Sequence, residues 1–93
     1  MTSYMRLDKF LKVSRLIKRR TVAKELSDQG RVLINGRSAK AGAEVRIGDE
    51  LMLHFGQKKL NVKITDIQET TKKEEAHLLY EVLSEEPIDG ELR

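Results

Sequence analysis

Arg6-Leu7-Asp8-Lys9-Phe10-Leu11-Lys12-Val13-Ser14-Arg15-Leu16-Ile17-Lys18-Arg19-Arg20-Thr21 is the stretch on which the fold turns. Leu7, Phe10, Leu11 and Ser14 fall at i, i+3, i+4 and i+7, so they share one face of a short helix while Lys9 and Lys12 point away. Asp8 stands in the first turn, where negative charge suits the helix dipole, and four residues before Lys12, within reach of an ion pair. A second helix is expected from about Lys18 to Gln29, with Val22, Ala23 and Leu26 inward, Arg20, Lys24 and Ser27 on the opposite side, and Gly30 as C-cap. Before the first helix, residues 1–5 read as a lead-in, with Met5 an alternative start to Met1.

Beyond Gly30 the apolar period changes from helical to two. Val32 and Ile34 lead into Asn35-Gly36, a tight-turn pair. Val45 and Ile47 alternate with Glu44 and Arg46; Gly48-Asp49 turns the chain; Leu51, Leu53 and Phe55 alternate with Met52 and His54; Leu60, Val62 and Ile64 follow the Gly56-Gln57-Lys58 turn. Thr71-Lys72-Lys73-Glu74 has capping-box spacing, with Leu78, Leu79 and Val82 behind it, which predicts a C-terminal helix to about Ser84. Pro87 ends that helix, and residues 87–93 read as a flexible tail. The expected fold class is α+β: two N-terminal helices packed on a small, mostly antiparallel sheet, plus a C-terminal helix, in one domain over residues 6–86. Val22, Leu26, Val45, Leu51 and Leu53 are expected in its core.

At 93 residues, with 39% hydrophobic and 35% charged side chains, the chain has room for one small core and none for a catalytic domain beside a binding one. No apolar run approaches the roughly 20 residues that span a bilayer, and no apolar signal core follows the N-terminal charges. The expectation is a cytoplasmic, monomeric protein with no membrane contact. Cysteine is absent, which removes disulfides, thiolate metal sites and cysteine nucleophiles. His54 and His77 stand far apart with no ligand spacing around them and read as structural or surface residues. Gly30, Gly36 and Gly42 lack the spacing and lysine of a phosphate loop. Nothing assembles a nucleophile with its base or a pair of carboxylates in a cleft, so no enzyme, metal or cofactor is expected.

Charge is the informative feature. Residues 1–40 hold eleven Lys/Arg against three Asp/Glu, a net of +8, whereas residues 41–93 hold seven against twelve, a net of −5. A basic head and an acidic tail point to a polyanion met at one face. Lys18, Arg19 and Arg20 crowd the start of a helix, where each exposed cation opposes the dipole at about 0.3–1 kcal/mol. Helix stability does not explain them; a bound phosphate does, since it pairs with the cations and accepts from the free N–H groups there. Arg6 and Arg15 join them as primary contacts, with Lys9, Lys12 and Lys24 in a second tier. The aromatic residues are only Tyr4, Phe10, Phe55 and Tyr80, with Phe10 and Phe55 on core faces. Without a stacking platform, recognition is expected to be of RNA backbone and shape. The acidic run Glu81, Glu85, Glu86 and Asp89 reads as a solvated face.

Arg6-Leu7-Asp8-Lys9-Phe10-Leu11, Ser14-Arg15, the Val22-Ala23 to Leu26 helix, Gly30-Arg31-Val32, Asn35-Gly36 and Gly48-Asp49-Glu50 resemble the S-four RNA-binding domain over residues 6–55. Thr21 departs from the small residue or glutamate many members carry. In that family two helices and a short sheet form the αL RNA-binding motif. With Phe55-Gly56-Gln57-Lys58 and Thr70-Thr71-Lys72-Lys73-Glu74-Glu75-Ala76 added, nearly the whole chain resembles the stand-alone RqcP family. That resemblance implies a non-catalytic factor of ribosome-associated quality control, which binds large-subunit rRNA and peptidyl-tRNA on split, stalled ribosomes. It implies a place beside RqcH on the large ribosomal subunit, in support of C-terminal alanine tailing, and it matches Arg6 and Arg20 to the family's critical arginines. Two alternatives stay open: a heat-shock-type factor that recycles large subunits, and a basic module whose partner is an acidic protein.

Overall fold

The computed structural model describes residues 4–69 and 71–87. The side chain of Phe55, Asp89 and the tail beyond Pro87 lie outside the described residues. The chain runs β1 (Tyr4–Arg6), α1 (Leu7–Val13), α2 (Arg20–Asp28), β2 (Val32–Ile34), β3 (Arg37–Ser38), β4 (Glu44–Arg46), β5 (Glu50–Phe55), β6 (Lys58–Ile64), a 3-10 helix (Lys73–Leu79) and β7 (Tyr80–Pro87). It is an α+β fold in which every strand pair is antiparallel: β1 with β4 in a two-stranded ribbon, and a five-stranded sheet in the order β3-β2-β5-β6-β7.

Leu7, Phe10 and Leu11 of α1 are fully buried, and Ser14 closes the same stripe as expected from its spacing. They meet Ala23 of α2 and Val32, Leu51, Leu53, Val62 and Ile64 of the sheet in one core. Asn35 and Gly36 both take positive φ, 51° and 85°, the pair of left-handed residues that a two-residue hairpin turn requires between β2 and β3. Asn35 does more than turn the chain. Its Nδ2 donates to Asp49 Oδ1 at 3.1 Å and its Oδ1 accepts from Glu50 N at 2.9 Å, while Asp49 Oδ2 accepts from Arg46 N at 2.9 Å. The Asn-Gly and Gly-Asp turns, fourteen residues apart in sequence, are therefore one hydrogen-bonded joint.

Four expectations are corrected. Tyr4 and Met5 are not a loose lead-in: β1 pairs Met5 with Val45, and Met5 is buried. Val22, expected in the core, is 38% exposed, and Ser27, expected outward, is buried. The buried stripe of α2 runs through Ala23 and Ser27, whose small side chains let the helix sit close, with the Ser27 hydroxyl donating to Ala23 O at 2.8 Å. Leu26 is half-buried against the core, while Val45, Leu51 and Leu53 are fully buried. Ile47, expected on an inward strand face, lies past the end of β4 and is 55% exposed. The C-terminal helix is only the 3-10 stretch; from Tyr80 the chain is strand, paired along β6 from Ile64↔Tyr80 to Lys58↔Pro87 with a bulge between Asn61 and Val62. The physical reason is the open edge of β6, whose row of unpaired backbone groups outweighs a weak helical period.

Candidate nucleic-acid interface

The start of α1 is sealed by backbone. Leu7 N donates to Ala43 O at 2.7 Å, Asp8 N to Ala41 O at 3.1 Å, and Lys9 N to Asp8 Oδ1 at 2.8 Å, so these N–H groups are already used. The start of α2 is different: Arg19 is its N-cap, no side chain caps it, and its first turn holds no acid. Of the two helix starts, only that of α2 keeps the arrangement of cations and uncapped N–H groups expected from the sequence.

Between the two lies Asp8, whose side chain is only 4% exposed. Arg6 Nε donates to its Oδ1 at 3.2 Å and Arg6 Nη2 to Oδ2 at 3.3 Å, while Arg20 Nε lies 3.4 Å from Oδ2. One carboxylate thus holds the arginines that open the two helices, leaving their side chains 55% and 47% exposed. Arg20 reaches it because it shares the stripe of Ala23 and Ser27, the face that α2 turns toward α1. Burial pushes the Asp8 carboxyl up, but the hydrogen bonds from Arg6 and Arg20 and their charges outweigh it and hold the group below its ordinary value. Sequence reasoning missed this role, pairing Asp8 with Lys12. The signal was the Arg-x-Asp spacing at a helix start, which has no meaning until Arg20 is brought beside it.

The cations line one groove of about 900 Å³. Its lining brings together Lys9 and Lys12 of α1, Arg15 and Lys18 of the α1–α2 connection, Arg20 of α2, and Lys73, His77 and Tyr80 of the C-terminal segment. Lys9 is ion-paired with Glu69, the acid on the groove lining. Arg6 belongs to the site through Asp8 rather than through the groove wall. Arg19 and Lys24 are exposed and do not line it. His77, read as a surface histidine, and Lys73, read as part of a helix cap, are among the groove residues the sequence did not reveal. Among the described residues no three His, Cys, Asp or Glu side chains come together to hold a metal ion. Nor is any helix among them long and apolar enough to cross a membrane.

Arg15 ends α1 with φ 62°, the left-handed place usually given to glycine, and its N–H donates to Lys12 O at 3.0 Å. A side chain held there costs about 1 kcal/mol, so the position trades stability for a guanidinium in the groove. Arg15→Gly is expected to raise stability by about 0.5–1 kcal/mol in urea unfolding while weakening RNA binding. A variant that loses stability, or binds as well as wild type, contradicts this account.

The S4 domain model matches residues 5–51, which hold all of β1 but Tyr4, both α-helices, the hairpin turn and the Asn35–Asp49 joint. The chain belongs to the S4 domain family. It is 66% identical over 84 residues to the RQC P-site tRNA stabilizing factor of Halalkalibacterium halodurans, covering 90% of this chain and 96% of that one. It is 61% identical over 84 residues to the factor of the same name from Bacillus subtilis, covering 90% and 98%. These S4 relatives are named as stabilizing factors and not as enzymes. Among solved structures it resembles the trimeric Heat Shock Protein 15 of Vibrio cholerae, with a TM-score of 0.80, 32% identity and coverage of 87% of this chain and 83% of that one. The S4 match ends at Leu51, so the 3-10 helix and β7 lie outside the matched S4 segment.

Proposed function

We propose that this S4 protein is a non-catalytic, cytoplasmic, monomeric RNA-binding factor of ribosome-associated quality control. It binds large-subunit rRNA and peptidyl-tRNA on split, stalled ribosomes and supports RqcH-dependent alanine tailing. The observation that carries the reading is the pair of arginines gripped by Asp8, one of which, Arg20, lines a cationic groove. Exposed guanidinium groups held by a buried acid are preorganised for phosphate oxygens, which they meet through paired N–H donors. The names of relatives at 61–66% identity support tRNA as the ligand. Arg6, Arg15, Lys18, Arg19 and Arg20 are the primary contacts, and Lys9, Lys12 and Lys24 the second tier.

The test is co-sedimentation of the purified protein with isolated large subunits, with and without peptidyl-tRNA. Preferential pelleting with tRNA-bearing subunits is the expected result; no pelleting with either removes the reading in favour of an acidic protein partner. The likeness to Heat Shock Protein 15 favours a second reading, a subunit-recycling factor that takes no part in tailing. Reconstituted tailing with RqcH separates the two, since only the first requires that adding this protein increases alanine incorporation.

A further inference from the structure

The segment Lys73–Tyr80 sorts its side chains by face. Lys73, Ala76, His77 and Tyr80 line the groove, while Glu74 and Glu75, between Lys73 and Ala76, do not. A segment that reads as mixed charge in sequence therefore presents only cationic and neutral groups to the groove. It is also held in place: Ala76 and Leu79 are buried, Thr65 N donates to Leu79 O at 2.9 Å, and the Thr65 hydroxyl donates to Leu78 O at 2.8 Å. The same groove is lined by Arg15, Lys18 and Arg20, which stand on the connection and helix proposed above to meet RNA. A groove of about 900 Å³, lined by cations from both the N-terminal elements and the C-terminal segment, lies near the top of the range of about 300–1,000 Å³ for sites that enclose small ligands. That space exceeds what one phosphate group needs and suits a run of phosphodiester backbone. Among the described residues its lining includes one phenol ring, Tyr80, and one imidazole, His77, too few to form a platform for successive bases.

We propose that the C-terminal 3-10 segment is the second wall of the RNA site, with Lys73 and His77 contacting the same strand of RNA backbone that Arg15, Lys18 and Arg20 hold from the opposite wall. The inference rests on the RNA-binding reading above and assigns a role to a segment beyond the S4 match. Lys73 is exposed, so substituting it leaves the core intact.

The experiment measures binding to large subunits carrying peptidyl-tRNA across a salt series for wild type, Lys73→Ala, the exchange Lys73→Glu with Glu74→Lys, and Arg20→Ala. Lys73→Ala is expected to weaken binding about three- to tenfold and to lower the slope of log K against log salt by about 0.7–0.9, one phosphate contact. The exchange keeps net charge but moves the cation off the groove face, so it is expected to bind no better than Lys73→Ala. If Arg20→Ala weakens binding while the Lys73 variants match wild type, the second wall is overturned and the RNA reading stands. The second wall is equally overturned if the exchange binds like wild type, since net charge alone is then at work. If no variant changes binding, the RNA reading fails and the second wall fails with it.

Discussion

Arg20→Ala is expected to weaken binding to tRNA-bearing large subunits by about 10- to 100-fold, the loss of one or two charge-assisted hydrogen bonds at about 1.5–3 kcal/mol each before compensation. The fold should survive, because alanine favours helix and the buried stripe of α2 lies at Ala23 and Ser27. Arg20→Lys discriminates more finely. Arg20 Nε faces Asp8 Oδ2 at 3.4 Å, which leaves the two terminal nitrogens of the same plane for phosphate oxygens. A lysine ammonium keeps the charge but cannot hold that flat, two-sided geometry. The expected result is that Arg20→Lys retains less than half of the binding free energy that Arg20→Ala loses, in co-sedimentation titrations at fixed salt. Full retention with lysine would mean that only charge is read, and wild-type binding by the alanine variant would remove Arg20 from the site.

What the sequence revealed was mostly local. Leu7, Phe10, Leu11 and Ser14 declare a helix face by spacing alone, and Asn35-Gly36 declares a turn because few other pairs tolerate two positive φ values. β2, β4, β5 and β6 are visible by alternation, whereas the two residues of β3 are not. Where sequence and structure part, the deciding partner is distant. Val22 is more apolar than Ser27, so apolar weight alone points α2 inward along Val22; close approach to α1 favours small residues, and the helix is turned accordingly. Residues 80–87 have no strong period, and β6 supplies what makes them a strand. The same holds at the site. Lys18, Arg19 and Arg20 are visible as a charge run, but their sorting is not: Lys18 and Arg20 line the groove and Arg19 does not. Lys73 and His77, more than fifty residues after Arg20, join it only through the fold of the C-terminal segment.

Asp8→Asn is expected to have two opposed effects, and their balance tests whether the acid positions the arginines or only neutralises them. The amide keeps an oxygen for Lys9 N but replaces the other acceptor with a donor aimed at a guanidinium. Stability should fall by about 1–2 kcal/mol, less than for a fully buried ion pair because both arginines are about half exposed. Net positive charge rises by one, which by itself strengthens attraction to any RNA. Against that, two long side chains lose their anchor, and ordering each again on binding costs about 0.5–1.5 kcal/mol. Tighter or unchanged binding to unrelated RNA at low salt, together with about three- to tenfold weaker binding to tRNA-bearing large subunits, is the outcome expected of a positioning residue. Stronger binding to both would reduce Asp8 to a neutralising charge. Acid titration gives an independent reading of the same contact. The folded pKa lies below the ordinary 3.8, so the carboxylate's contribution is fully present above that value and is lost as pH falls through the folded one. The Asp8→Asn protein should lack this component of acid sensitivity, and wild type and variant should converge in stability as pH falls through the folded value. A gap between their unfolding curves that stays constant through the whole acid titration would place the stabilisation in packing rather than in the charges of Arg6, Asp8 and Arg20.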